Sequence, residues 1–176
     1  ITTELGGNCG MSPAPVNPRR EDELRDYLRE CWENEPFAWT RLSGFLDTVE
    51  ARGSSVNFCT AVGHGTLRIA VMGFDAGKPD AKQMQTMKRY LREALEDGAF
   101  ALTSGLIYPP GSYSEIEEMT ELAKELKPFG AFYATHMRNE GIDVVEAVAE
   151  AIEVSRRAAV PLEISHHKVA RKQKWY

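Results

Sequence analysis

The sequence predicts an α/β fold with a parallel sheet, on three observations. Short apolar runs alternate with amphipathic helical patterns along the chain, and a β, α, β, α order demands right-handed crossovers between parallel strands. Each apolar run hands over to a polar segment, often flanked by glycine, which is where α/β folds bind ligands. No Gly-x-Gly-x-x-Gly or P-loop pattern occurs, which argues against a dinucleotide or nucleotide fold. Five such strands fit either an open doubly wound sheet or most of a (β/α)8 barrel. A complete barrel typically takes about 250 residues. At 176 residues the chain would be a partial (β/α)8 barrel. It begins at Ile1 and stops at Tyr176 beside strand-like runs, so a fragment of a larger domain is expected.

In order, residues 1–5 read as a strand, closed by the Gly6-Gly7-Asn8-Cys9-Gly10 loop. Three prolines between Ser12 and Pro18 exclude regular structure there. Leu24, Tyr27, Leu28 and Cys31 recur at helical spacing over residues 20–33. Trp39, Leu42, Phe45, Leu46 and Val49 predict a second helix, closed by Gly53. Residues 55–62 read as a buried strand that runs into Gly63-His64-Gly65, and a short helix is expected at 69–72. Residues 81–97 form the strongest helical pattern, ended by Gly98. A strand at 99–102 leads into the Tyr108-Pro109-Pro110-Gly111 loop, and Ser114 with Glu117 suggests a capping box for a helix to Lys127. Strands at 131–135 and 161–165 flank a helix over 141–158, with Val144, Val145, Val148, Ile152 and Ser155 on its expected core face.

Composition limits the function. Apolar content is 43% and the formal net charge −5. A basic surface for phosphate is therefore absent, and no nucleic-acid partner is expected; the basic residues Lys168, Arg171, Lys172 and Lys174 are too few and too local to change this. No run of about 18 apolar residues exists, so no membrane span is expected. The three cysteines include no Cys-x-x-Cys pair, which predicts reduced thiols in a cytoplasmic protein.

The sharpest constellation is Cys9, His136 and His166. Each lies at the C-terminal end of a different predicted strand, and such ends converge. Thiolate sulfur and neutral imidazole suit Zn²⁺, and catalytic zinc often takes three protein ligands. Singly, each has an ordinary explanation: a small buried cysteine, or a histidine with its polar atoms satisfied. His167 points away from His166, because neighbours on a strand face opposite sides. Lys168 returns to the side of His166 and could hold a substrate carboxylate. Tyr108 is placed to cover the site. Arg138 could pair with substrate or with Glu140. His64 and Arg68 are more simply a helix-start turn than a carboxylate-binding fork. The glutamates of residues 115–125 and 146–153 are read as solvated faces.

Five segments then carry a resemblance. Gly-Asn-Cys-Gly-Met-Ser-Pro-Ala-Pro (7–15), Gly-His-Gly-Thr-Leu-Arg-Ile-Ala-Val-Met-Gly (63–73), Ser-Gly-Leu-Ile-Tyr-Pro-Pro-Gly (104–111), Thr-His-Met-Arg-Asn-Glu (135–140) and Ile-Ser-His-His-Lys (164–168) resemble, in this order, the N-acyl-D-amino-acid deacylases of the amidohydrolase superfamily. The resemblance implies a central fragment of a catalytic barrel, approximately strands two to six. It implies Zn²⁺ held by Cys9, His136 and His166, with Lys168 and Tyr108 contacting a small-molecule N-acyl-D-amino acid. The implied chemistry is Lewis-acid polarisation of the scissile amide and an activated water. The family's His-x-His pair and its general acid/base Asp match no residue here. Deacylation is thus expected of a longer protein, with the fragment alone inactive. Open strand edges near residues 1–5 and 161–165 would favour self-association. The alternatives are a non-catalytic degenerate fragment and a different amidohydrolase, such as a cyclic-imide hydrolase.

Overall fold

The computed structural model describes residues 1–30 and 36–170. Its strands are β1 (Thr3–Gly6), β2 (Asn57–Thr60), β3 (Val62–Gly63), β4 (Ala101–Gly105), β5 (Phe132–His136) and β6 (Leu162–Ile164). Its α-helices are α1 (Glu21–Leu28), α2 (Leu42–Arg52), α3 (His64–Met72), α4 (Ala81–Glu96), α5 (Ile116–Ala123) and α6 (Val144–Ala158). All strand pairs are parallel: β1 with β2, and β3-β4-β5-β6 in sequential order. β2 and β3 are one predicted strand broken at Ala61. The backbone N–H of Phe100 donates to Thr60 O at 3.0 Å and so links the two sheets. Among the described residues no strand is inserted out of order. That order fits a βα barrel better than the doubly wound alternative, in which the order reverses at a switch point.

β4 is buried at all five positions, and the centre of β5 is buried as well. That is the pattern of a parallel sheet covered on both faces, and it explains the continuous apolar runs. Helices cover the outside, α3 against α4, α4 against α5 and α5 against α6. α4 presents Met87, Leu91, Ala94 and Leu95 inward, the i, i+4 stripe its sequence predicts. Leu67, Leu102, Met119, Leu122 and Leu126 complete the centre of the core.

Several boundaries and faces differ from the sequence expectation. α1 ends at Leu28, and Cys31 with the rest of that predicted helix lies outside the described residues, as do Arg171, Lys172 and Lys174. α3 begins at His64, not near Ile69, because the helix starts as soon as β3 ends. The Ser114 capping box does not form: Glu115 caps α5 without a side-chain bond, and Ser114 Oγ donates to Gly111 O at 2.7 Å. The capping box present is Asp80 with Gln83 on α4. α6 buries Val144 as predicted, with Ala147, Ala151, Val154 and Ala158, and Val148 packs partly buried beside them, but Val145 and Ile152 are 65% and 51% exposed.

The sheet is strongly curled. Strands are spaced about 4.8 Å apart, so four intervals would hold the ends of β1 and β6 roughly 19 Å apart in a flat sheet. Instead Ser165 Oγ, just after β6, donates to Asn8 Oδ1, just after β1, at 3.2 Å. The concave side holds a 240 Å³ cleft lined by Leu5, Asn8, Thr103, Ala134, Glu163 and Ser165, among others. No helix among the described residues is long and apolar enough to cross a membrane.

Candidate metal centre

The loop after β1 is tied to the sheet from below. Thr103 Oγ1 on β4 donates to Gly7 O at 2.5 Å and accepts from Gly10 N at 3.1 Å. Cys9, between them, has φ 54°, a left-handed conformation that is uncommon for non-glycine residues. The Tyr108 hydroxyl donates to Cys9 O. A Cβ at Gly105 would overlap both that hydroxyl and that carbonyl, so only glycine lets the three groups meet. The cysteine is held from three sides and aimed across the mouth of the curl.

The two histidines come from the far end of the arc. His136 closes β5, with its side chain 16% exposed. His166 follows β6 with φ 39°, and this turn carries it back over the sheet. The two rings meet edge to face, 4.4 Å between centroids. Cys9 Sγ is 3.2 Å from His166 Nε2, and one donor atom each from Cys9, His136 and His166 all lie within 4.8 Å of one another. His136 Nε2 is buried and makes no hydrogen bond. Burial pushes His136 below the ordinary histidine value; Glu140 opposes this, and His166 and Lys168 reinforce it. A neutral imidazole with an unused buried nitrogen is what a metal ligand requires. Zinc bonds of about 2.0–2.3 Å place tetrahedral donors roughly 3–4 Å apart, so small side-chain rotations bring the set within reach of one ion. The residues fit a metal.

Glu140 is the carboxylate of this cluster. Lys168 Nζ donates to its Oε1 at 2.5 Å, and that oxygen lies 3.4 Å from His136 Nε2 and 3.5 Å from His166 Nδ1. Burial pushes Glu140 up, but the Lys168 hydrogen bond and the surrounding positive charges prevail and hold it below the usual carboxylate range. Lys168 also lies 3.4 Å from His166 Nδ1, on the side of His166 that the sequence predicts. His167 is exposed.

The remaining candidates fall into two groups. Tyr108 belongs to the site: besides bonding Cys9 O, its ring packs edge-on to His136 at 5.7 Å. Arg138 turns away from the metal cluster. Its guanidinium makes a bidentate pair with Glu150 at 2.9 and 2.8 Å and donates to Ser112 O and Ser114 O. It ties α6 to the loop before α5. His64 and Arg68 also lie elsewhere, fully buried around Glu118: His64 Nε2 is 2.8 Å from Oε1, and Arg68 Nη1 is 2.9 and 2.7 Å from the two oxygens. Arg68 is indeed a carboxylate fork, but for an internal carboxylate. Glu118 is 6% exposed, which corrects the reading of residues 115–125 as a wholly solvated face.

A curled parallel βα arc with a Cys–His–His donor set at its strand ends is an arrangement suited to holding a catalytic metal. The comparisons narrow this further. The D-aminoacylase of Alcaligenes xylosoxydans xylosoxydans is 37% identical over 172 residues, 96% of this chain and 34% of that protein. A solved D-aminoacylase with a binuclear metal centre, in which one metal activates and the second attenuates, superposes with a TM-score of 0.85 at 36% identity, over 98% of this chain and 36% of that one. The N-acyl-D-glutamate deacylase of Bordetella bronchiseptica, solved with zinc and a phosphonate mimic of the tetrahedral intermediate, gives a TM-score of 0.88 at 31% identity, over 99% of this chain and 36% of that one. No family model matches the chain. The similarity to the N-acyl-D-amino-acid deacylases, which are hydrolytic amidohydrolases, extends along nearly the whole chain. The chain spans about a third of the length of the curated relatives it matches.

Proposed function

We propose that residues 1–176 are the central part of a zinc-dependent N-acyl-D-amino-acid deacylase. In this reading they supply approximately strands two to six of a (β/α)8 barrel. The observation that carries it is the Cys9–His136–His166 donor set with its unused buried nitrogen, in a chain similar to deacylases throughout. The sequential strand order and the curl support the barrel.

Zn²⁺ bound there supplies Lewis acidity and water activated near neutral pH. The chain's own residues do the rest of what this part can do. Cys9, His136 and His166 hold the ion at the mouth of the barrel. Tyr108 fixes the backbone of Cys9 and packs against His136. Lys168 holds an ammonium at the rim, half-exposed, where it can meet the carboxylate of an N-acyl-D-amino acid. The described residues at the cluster contain no free carboxylate for proton transfer, since Glu140 is engaged by Lys168. We therefore assign the general acid/base to the parent protein outside these residues, and expect the isolated fragment to bind metal without turnover. A cytoplasmic location rests on cysteine usage alone.

The test is hydrolysis of N-acetyl-D- against N-acetyl-L-amino acids by the intact zinc-loaded protein. Activity confined to the D series is expected. Cys9→Ala and His136→Ala should each abolish it, because the ion loses one of three ligands. Normal turnover by either variant at equal zinc content would sink the ligand assignment, and hydrolysis of cyclic imides instead of N-acyl-D-amino acids would sink the substrate class.

A further inference from the structure

Glu140 is tied to the segment after β6 by both its main chain and its side chain. Its backbone carbonyl accepts from Ala170 N at 2.6 Å, and its carboxylate takes Lys168 Nζ at 2.5 Å. Between those two anchors its Oε1 lies 3.5 Å from His166 Nδ1 and 3.4 Å from His136 Nε2, and Lys168 Nζ lies 3.4 Å from the same His166 Nδ1. The opposite edge of the His166 ring, Nε2, faces Cys9 Sγ at 3.2 Å. His166 stands in a left-handed turn with a partly exposed ring. An imidazole that binds metal through one nitrogen is usually oriented by an acceptor at the other, which fixes the tautomer and raises ligand basicity.

We propose that Glu140 is a positioning residue of the metal centre: it orients His166 so that Nε2 is presented to the ion, and its pairing with Lys168 is secondary to that role. The proposal rests on the metal-centre reading above. A simpler account is that Glu140 only neutralises Lys168. The two accounts differ in what loss of Lys168 does to the defect of Glu140→Gln. If Glu140 acts only by neutralising Lys168, removing the lysine as well restores metal affinity. If Glu140 acts on His166, the defect persists without the lysine.

The test is Co²⁺ and Zn²⁺ titration of the demetallated intact protein. Thiolate-to-cobalt absorption reports coordination by Cys9, and chelator competition gives the affinity. Glu140→Gln keeps the size and loses the charge; affinity should fall about 10–100-fold. Glu140→Asp keeps the charge and should recover part of the loss. The double variant Glu140→Gln/Lys168→Met should bind metal as weakly as Glu140→Gln. Affinity of Glu140→Gln within about twofold of the unsubstituted protein would overturn the proposal, as would recovery of full affinity in the double variant. If Glu140→Gln does not fold, Glu140→Ala with and without Lys168→Met decides the question. Failure of the unsubstituted protein to bind Co²⁺ at Cys9 would instead remove the metal centre, a separate and recognisable result.

Discussion

Glu118 shows how a single residue can be misjudged. It lies in a glutamate-rich stretch that reads as a solvated helix face, yet it is buried between His64 and Arg68. Arg68 in turn donates to Asp75 O and Gly77 O at 3.0 and 2.9 Å. The triad thus joins α3, α5 and the loop before α4. Removing one member leaves an uncompensated buried charge. Glu118→Gln and Arg68→Ala are each expected to destabilise the fold by about 3–5 kcal/mol, read as a drop in denaturant midpoint at unchanged slope. A loss under about 0.5 kcal/mol, typical of surface substitutions, would show the triad to be incidental. The meeting of Cys9, His136 and His166 was legible at this scale, because their residue types and strand-end positions point to one place. Arg138 was not: nothing local distinguishes an arginine facing substrate from one paired to Glu150 twelve residues on.

Among the elements, α6 departs most from its pattern. Its valines and isoleucines suggest a core face that includes Val145 and Ile152, but Ala147, Ala151 and Ala158 share the buried stripe with Val144 and Val154. Small side chains let α6 approach α5 and the sheet closely, a preference that depends on the neighbours and is not written in the helix itself. Ala151→Leu should overpack this contact and cost about 1–3 kcal/mol. Val145→Ser, on the exposed face, should stay within about 0.5 kcal/mol. Urea unfolding of the two variants checks the assignment; the reverse order would restore the predicted face. The loop after β1 shows the same dependence on context. Thr103 holds it from β4, more than ninety residues away, and no periodicity reveals such a partner.

For the molecule as a whole, pH is a direct probe. Burial pushes the Glu118 carboxyl up, but its bonds and proximity to His64 and Arg68 hold it below the ordinary value of 4.5. Glu121, bonded to Lys124 and Lys88, is lowered to about 2, though its exposure to solvent weakens its share. A carboxylate with a depressed folded-state pKa contributes stability that is present above its unfolded value and lost as pH falls through the folded one. Stability should therefore hold above pH 4.5 and decline steadily toward pH 2, measured as the denaturant midpoint; a flat profile over that range would contradict it. The sequence by itself determined the α/β class, the parallel strands and which three residues, Cys9, His136 and His166, share the strand ends, because periodicity and residue chemistry are local properties. Tertiary structure decided the rest. The curl that brings Cys9 within 3.2 Å of His166, the burial of Glu118 and the convergence of Glu140 on both histidines are distances between segments far apart in the chain. Such distances follow from how strands pair and helices pack against one another, and only the assembled fold specifies them.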